Sequence, residues 1–515
     1  MCKSFKNPQA DKPSVPNMAT HQHFEAIDVF PTGYKKLPEV TKFDLSDLDH
    51  VVPGFHTTVC PVFPLSVDTN KDQLITSLKV GLQNVLRCIP LLGGTLQNDP
   101  QANRVYILRE NHVPIELGVH YLDRDDSFPT YEKLAKDGFP PTFFALNATA
   151  LTPPGSNVTG FRRDDGCPVA VFQANFIKGG LIMTVAVSHL GADAKSIDHT
   201  YTLWANSSRA AREGSEMPTF RPMLDRSYFN VTAKPSAAET ESLKKNVKGF
   251  TYQEVREEVS HESLAEPKDL PETSLQVYHF TAHSSENLKH ECWPKESGKY
   301  VSTYDCMAAA TWRAMTKARL PYMKTLTSSS ITTFSHAIDA RGRFGSLVPN
   351  DYFGNAFIIG WAEPMEIEAL LSERGLALAA QTIRKSILDF NASSIPDLLK
   401  VRRGIEGRQK MEFDWSPGNV VATSWTSMKA LTGYDFGFGL PATIRTPVPP
   451  FEGILGVLPA ASKVGESDGY DVYVVMEKQC QERLANDADY SAICQIRGGL
   501  AKSKMPPNSL RNLVT

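Results

Sequence analysis

The sequence predicts a mixed α/β protein, with mixed sheets and packed helices in two halves. Apolar residues make up 41% of the 515 residues, which suffices for large hydrophobic cores. Strand and helix patterns mix in both halves without the regular alternation of a Rossmann sheet. A charged stretch poor in aliphatic residues separates the halves. We therefore expect a flexible tail at 1–24, a domain at 25–210, a crossover linker at 211–271 and a second domain at 272–515.

In the first half, one long amphipathic helix is predicted among short strands. Leucines recur at helical spacing along residues 71–89, so one face of this helix is expected to pack on a core. Short runs rich in β-branched and aromatic residues predict strands at 25–30, 57–63 and 104–108. Residues 123–166 are polar and contain several prolines, which favours surface loops.

Residues 168–204 are the most informative stretch of the chain. Two apolar runs flank Gly179 and Gly180, and such a pair can adopt the positive φ angles of a tight hairpin. The second predicted strand ends at His189, and helical periodicity starts after Asp193, which stands at an N-cap position. The pattern therefore places a histidine at a strand end and a carboxylate at the following helix start.

Histidine at a rigid strand end suits base chemistry. Imidazole titrates near neutrality, and the loop from His189 to Asp193 contains no lysine or arginine, so a neutral ring could accept a proton from a hydroxyl. The alternative is structural, because a histidine at a strand end and an aspartate at a helix cap often serve only the local fold. Spacing alone leaves both interpretations open.

The second half also mixes strands with helices. Four strands are predicted, at residues 276–281, 332–338, 420–424 and 469–476. Two helices are predicted, at residues 302–319 and 366–390. The first of them starts with serine and threonine and ends with basic residues, as the helix dipole favours. Near the carboxyl end, residues 434–441 (YDFGFGLP) place an aromatic ring between two glycines, which predicts a tight turn.

Charge and cysteine usage narrow the classes of function. A net charge of -3 gives no indication of a nucleic-acid partner or an anionic membrane. The eight cysteines are scattered without a CxxC pair, which favours free thiols in a reducing compartment and no metal site. No apolar run has the length of a membrane span or the character of a secretory signal. We expect a cytoplasmic protein that is a monomer.

Two short motifs carry a family resemblance. Residues 189–193 are HLGAD, followed by Ala194, and residues 435–439 are DFGFG. The stretches IPLLGGTL, STYDCMAAATWRA, DARGRF and DYFGNA accompany them in order. On these residues, the chain between 25 and 490 resembles the BAHD acyltransferases, in particular the fungal branch of trichothecene 3-O-acetyltransferases. The family patterns are HxxxDG and DFGWG, so Ala194 and Phe438 are departures from them.

The resemblance implies two domains of chloramphenicol-acetyltransferase-like fold that meet along an active-site channel. His189 would be the general base. Acetyl-CoA, or another acyl-CoA, would be a co-substrate rather than a bound cofactor, and the acceptor would be a hydroxyl of a lipophilic secondary metabolite. Asp193 would point away from the substrate and pair with Arg341, and Asp435 would hold its own loop.

The resemblance also suggests binding residues. Ser424, Trp425 and Asn355 are candidate donors to the substrate or to the oxyanion of the tetrahedral intermediate. Gly437, in the DFGFG loop, is a further candidate for the substrate or CoA site. No metal ligand is expected.

Two other functions remain open. Condensation or cyclisation enzymes of the same superfamily act on a bound thioester, but they usually carry a second histidine directly before the first. This chain has Ser188 there, and no carrier domain is predicted in it. A non-catalytic ligand-binding relative is the other alternative, and the retention of His189, Asp193 and Arg341 speaks against it.

Overall fold

The structure is a computed structural model that describes most of residues 23–497. The residues outside the description are 1–22, 53, 100–101, 103, 154–165, 255–272, 322–326, 328, 343–347, 390–393, 407–408, 414–417, 448–451, 464–465 and 498–515. Most of the predicted tail and residues 255–271 of the predicted linker therefore lie outside the described residues. Phe24, which was assigned to the tail, already begins a strand.

The described strands, in chain order, are β1 (Phe24–Val29), β2 (Val40–Asp44), β3 (His56–Pro64), β4 (Thr95–Asp99), β5 (Arg104–Glu110), β6 (Ile115–Tyr121), β7 (Ala170–Ile177), β8 (Gly180–Ser188), β9 (Phe250–Glu254), β10 (Thr273–Phe280), β11 (Ile331–Thr332), β12 (Phe334–Asp339), β13 (Phe357–Trp361), β14 (Met365–Glu366), β15 (Gln409–Phe413), β16 (Val420–Ser424), β17 (Thr443–Arg445), β18 (Ile454–Lys463), β19 (Glu466–Glu477) and β20 (Gln495–Arg497).

The described helices are α1 (Lys71–Cys88), α2 (Tyr131–Lys136), α3 (Pro141–Leu146), α4 (Ala148–Leu151), α5 (Ala194–Glu213), α6 (Ala237–Lys244), α7 (Ala282–Glu291), α8 (Thr303–Arg319), α9 (Ile367–Leu371), α10 (Gly375–Leu388), α11 (Ser394–Ile405), α12 (Ala430–Gly433), α13 (Lys478–Ala485) and α14 (Ala488–Ile493). None of them combines the length and the apolar character that crossing a bilayer requires.

The first half is built on a six-stranded sheet with the order β1-β6-β7-β8-β3-β17. The predicted hairpin is confirmed, because β7 and β8 pair antiparallel through Gly179, which has a φ of 75°. Both strands are buried along their whole length. Helices α1 and α5 pack on this sheet and contribute Leu78, Leu82, Tyr201 and Trp204 to its core. The sheet thus fixes the end of β8, from which the chain enters the HLGAD turn.

The second half is built on a seven-stranded sheet with the order β13-β12-β16-β18-β19-β10-β20. Helix α8 buries Trp312 and Met315 in the core of this half. The sequence predicted α8 well because its start carries a complete capping box between Ser302 and Asp305. Hydrophobic residues of α10 complete the same core.

One strand of the second half belongs to the sheet of the first, which the division at residue 271 did not anticipate. Strand β17, from the second half of the sequence, pairs with β3 at the edge of the first sheet. Its buried Arg445 donates from Nε to the carbonyl of Phe139 at 2.8 Å, and its Nη2 lies 3.0 Å from Oδ2 of Asp471 in β19. The crossover segment, here residues 211–254, is also structured: it contains α6 and β9, and β9 pairs with β15.

Two further expectations are wrong. The polar residues 123–166 contain the three short helices α2, α3 and α4 in their described part, rather than loops alone. The long helix predicted at 366–390 is divided into α9 and α10. Arg313 of α8 donates from Nη1 to the carbonyls of Leu370 and Ser372 at 2.7 and 2.6 Å, which satisfies the free carbonyl groups at the end of α9. The guanidinium of Arg313 therefore stabilises the break between α9 and α10, which the periodicity of the sequence does not reveal.

Candidate active site

His189 lies at the join between the two halves of the chain. Its backbone N–H donates to the carbonyl of Phe55 at 2.8 Å, which fixes the residue directly after β8. Its ring packs between Phe55 and Phe357, with centroid distances of 5.2 and 5.4 Å. The residue is partly exposed although its neighbours in β8 and in the following turn are buried. His189 is therefore packed against two aromatic rings and still partly exposed to solvent.

Asn355 determines which ring nitrogen of His189 carries the proton. Its Nδ2 donates to the carbonyl of His189 at 2.6 Å and to Oδ1 of Asp49 at 2.8 Å. Because a carbonyl can only accept, the amide nitrogen must face it, and Oδ1 of Asn355 is left facing Nδ1 of His189 at 3.1 Å. Nδ1 must then donate, so the lone pair is on Nε2. Nε2 has no hydrogen-bond partner among the residues that the structure describes.

Asn355 therefore differs from its predicted role. The sequence suggested it as a donor to the substrate or the oxyanion, yet its side chain is fully buried and both of its amide groups are bonded within the protein. Its side chain contacts the base on both the ring and the backbone carbonyl. Its assignment as a substrate-binding residue is corrected accordingly.

Burial lowers the pKa of His189 below the ordinary histidine value. The hydrogen bonds of the residue and the negative charges of Asp193 and Asp49 act in the opposite direction without outweighing burial. The ring is consequently neutral at neutral pH, which is the protonation state that a base requires.

Asp193 forms a buried ion pair with Arg341. Arg341 donates from Nη1 to Oδ2 at 2.9 Å and from Nη2 to Oδ1 at 3.1 Å. The same carboxylate caps α5 through the N–H of Ser196 and accepts from the N–H of Ala356, both at 3.0 Å. Burial alone would raise the pKa of Asp193, but the charge and hydrogen bonds of Arg341 outweigh it and leave the pKa lowered. The pair thus ties the HLGAD turn to the second half.

Asp49 and Arg226 form a second buried ion pair, which was not predicted from the sequence. Arg226 donates from Nη1 to Oδ2 of Asp49 at 2.6 Å and from Nη2 to the carbonyl of Gly191, inside the HLGAD turn, at 2.7 Å. The side chains are 4% and 0% exposed. The partners are 177 positions apart, and Arg226 lies in the segment that is predicted as a crossover linker. No local pattern distinguishes it from its basic neighbours.

A cavity of about 290 Å³ is lined by Phe357, whose ring also contacts the His189 ring. All three parts of the chain contribute to its wall: Leu48, Val52, Val247, Phe250, Phe357 and Trp361. Since these residues come from the first half, the crossover segment and β13, the cavity lies where the halves meet.

The remaining predicted residues lie apart from this network. Ser424 exchanges a hydrogen bond with the hydroxyl of Thr426 at 3.0 Å, and Trp425 is buried in the core of the first half. Gly437 has a φ of 91°, in the region that favours glycine. No hydrogen bond or ring contact within the described part of the chain joins these residues to His189.

Asp435 organises the DFGFG loop. Its Oδ1 accepts from the N–H groups of Gly437 and Gly439 at 2.8 and 3.0 Å. Its Oδ2 lies 3.7 Å from Nη1 of Arg209 on α5. The hydrogen bonds of Asp435 therefore stabilise the loop, and its ion pair with Arg209 connects the loop to α5.

Replacement of Asp435 by alanine should lower the free energy of unfolding by about 1–3 kcal/mol, because two loop N–H groups lose their acceptor. Asp435→Asn keeps an oxygen at Oδ1 and should retain most of that stability. Urea unfolding of both variants measures the difference. Equal destabilisation by the two substitutions would contradict the hydrogen-bonding role.

Comparison with known proteins identifies the class of enzyme, which is an acyltransferase. The sequence profile of the Transferase family matches residues 155–489, and that of the Trichothecene 3-O-acetyltransferase-like N-terminal domain matches residues 55–206. The chain belongs to the Transferase family. The resemblance to BAHD acyltransferases is thereby confirmed.

Known proteins similar to this chain have related activities. Acetyltransferase FGR3 of Gibberella zeae is 25% identical over 486 residues, covering 91% of this chain and 93% of that protein. Trichothecene 3-O-acetyltransferase TRI101 of Fusarium sporotrichioides is 25% identical over 466 residues, covering 86% and 94%. The crystal structure of F. graminearum TRI101 complexed with ethyl coenzyme A has a TM-score of 0.70 at 21% identity, over 89% of this chain and all of that one. The last comparison shows that the two-domain fold is shared.

Proposed function

We propose that this protein is an acyl-CoA-dependent O-acyltransferase that moves an acetyl group from acetyl-CoA to a hydroxyl of a lipophilic secondary metabolite. The observation that carries the proposal is the state of His189: Nδ1 is bonded to Asn355, and Nε2 has no partner among the described residues. The names of the relatives, acetyltransferases that include enzymes of trichothecenes, support the acetyl donor and an alcohol acceptor.

In the proposed reaction, Nε2 of His189 takes the proton of the acceptor hydroxyl as its oxygen attacks the thioester carbonyl. The resulting tetrahedral oxyanion collapses, the carbon–sulfur bond breaks, and the CoA sulfur takes the proton from Nε2. The protonated ring between these steps carries a positive charge, which the nearby carboxylates of Asp193 and Asp49 favour. Ser424 and Trp425 remain candidate oxyanion donors.

We propose further that one of the two reactants occupies the cavity beside Phe357. The cavity borders the ring that packs on His189, and it is formed jointly by both halves and the crossover segment. A reactant bound there would approach the imidazole from the join between the halves, as the channel predicted from the resemblance requires.

Incubation of the purified protein with acetyl-CoA and a panel of hydroxylated metabolites tests this function. The proposal expects release of free thiol that depends on the acceptor, together with an acetylated product in the mass spectrum. Product formation only from a carrier-bound thioester would favour the condensation alternative. Binding of metabolites without any thiol release would favour a non-catalytic ligand-binding protein. The expected cytoplasmic location and monomeric state stay predictions, and gel filtration measures the latter.

A further inference from the structure

We propose that Asp49 is a positioning residue for the catalytic base: its carboxylate orients the amide of Asn355, which in turn selects the tautomer of His189 that leaves Nε2 free. The inference deepens the proposed function, since it rests on His189 acting as the base. It assigns a role to a buried carboxylate that belongs to neither the HxxxD nor the DFGFG motif.

The amide of Asn355 could in principle stand either way round, because its oxygen and nitrogen ends have the same shape. The flipped orientation would place Oδ1 against Oδ1 of Asp49 and against the carbonyl of His189, where both contacts are between acceptors. It would also turn the NH₂ group toward Nδ1, which would then have to accept. The proton would move to Nε2, and Nε2 could not accept a proton from the acceptor hydroxyl.

The carboxylate of Asp49 is itself held rigidly. Its Oδ2 accepts from the N–H and the hydroxyl of Ser46, both at 2.8 Å, and from Arg226 at 2.6 Å. Arg226 also binds the carbonyl of Gly191 in the HLGAD turn. Asp49, which orients Asn355, is thus linked through Arg226 to the HLGAD turn that contains His189.

Asp47 offers a matched control two positions away. Its Oδ1 accepts from Arg104 at 2.6 Å, and its Oδ2 accepts from the N–H of Val231 at 2.8 Å. Like Asp49 it is buried and paired with an arginine. No hydrogen bond in the described part of the chain joins it to Asn355 or His189. Loss of its charge therefore perturbs the same segment without reaching the base.

The test compares Asp49→Asn with Asp47→Asn in the full-length protein. For Asp49→Asn we expect kcat to fall about 10- to 100-fold, a part of what a positioned base contributes, with the KM for acetyl-CoA within about twofold of wild type. In the described part of the chain, Asp49 and Asp193 act on the imidazole, and Arg226 and Arg341 are their ion-pair partners. Because Asp49 favours the protonated ring, its loss should also move the acidic limb of kcat/KM to lower pH. Asp47→Asn should move neither quantity.

Nitrogen-15 NMR of histidine-labelled protein measures the tautomer without any turnover, with His189→Ala used to assign the signal. Wild type should show a protonated Nδ1 and a bare Nε2, and Asp49→Asn should show a mixture. A wild type that has this tautomer but transfers no acyl group would refute the proposed function and leave the positioning role standing. An unchanged tautomer and kcat in Asp49→Asn would overturn the positioning role.

If Asp49→Asn does not fold, Asn355→Ser provides the second variant, since it removes the amide link and leaves the Asp49–Arg226 pair in place. The inference expects the same loss of the Nδ1-protonated tautomer in this variant. Retention of that tautomer, with kcat within about twofold of wild type, would overturn it.

Discussion

Substitution of His189 by alanine is expected to abolish acetyl transfer while the protein stays folded. Removal of a positioned base costs about 10²–10⁴ in rate, so only a small residual rate should remain. The loss in stability should be modest, about 1–3 kcal/mol, because the ring is partly exposed and its main bond is the one to Asn355.

Release of free thiol from acetyl-CoA, followed with a saturating acceptor, measures this effect. The exposed His283 on α7 provides the control, and His283→Ala should retain the wild-type rate. Circular dichroism of both variants checks the fold. Near-full turnover by His189→Ala would contradict the assignment of His189 as the general base.

Asp193→Asn is expected to cause the second large effect, a loss of about 3–5 kcal/mol of stability together with a partial loss of activity. The amide cannot balance the buried charge of Arg341, and its NH₂ group must face a guanidinium or a backbone N–H that needs an acceptor. Since Arg341 keeps the pKa of Asp193 below its ordinary range, the contribution of the pair is present above the unfolded pKa. It is lost as pH falls through the lowered pKa.

Thermal unfolding across pH measures this contribution, which should be absent from the variant. Asp471→Asn is a matched control, because it also breaks a buried aspartate–arginine pair but lies in the second sheet, bonded to Arg445 and His279. Both variants should lose stability, whereas only Asp193→Asn should lower the kcat of the folded protein. Unchanged stability in Asp193→Asn would contradict the role of the Asp193–Arg341 pair in stabilising the HLGAD turn against the second half.

The elements that could be predicted from sequence are those with local signals. The β7–β8 hairpin follows from two apolar runs around a glycine pair, and the start of α5 follows from Asp193 at its N-cap. Helix α8 follows from its capping residues. In each case the stabilising contacts lie within the element itself or between two strands joined by one tight turn, so periodicity, turn and capping rules are sufficient.

The parts that could not be predicted depend on long-range contacts. Strand β17 joins the sheet of the other half, and Asp49 meets Arg226 across 177 positions. Asp193 and Arg341 are 148 positions apart, and only the family resemblance suggested that they pair. Asn355 was predicted as a substrate or oxyanion donor, whereas its contacts depend on which acceptors face its amide in the fold. Such information exists only once the fold brings the groups together.

The pH dependence of kcat/KM in wild type and in His189→Ala tests the central claim most directly, since this ratio reports the free enzyme. Burial lowers the pKa of His189, so the wild-type rate should fall only as pH drops through a value below the ordinary histidine pKa of about 6.5. The residual rate of His189→Ala should lack that limb. An acidic limb at or above the ordinary histidine value, or the same limb in both proteins, would contradict the assignment of His189 as the base.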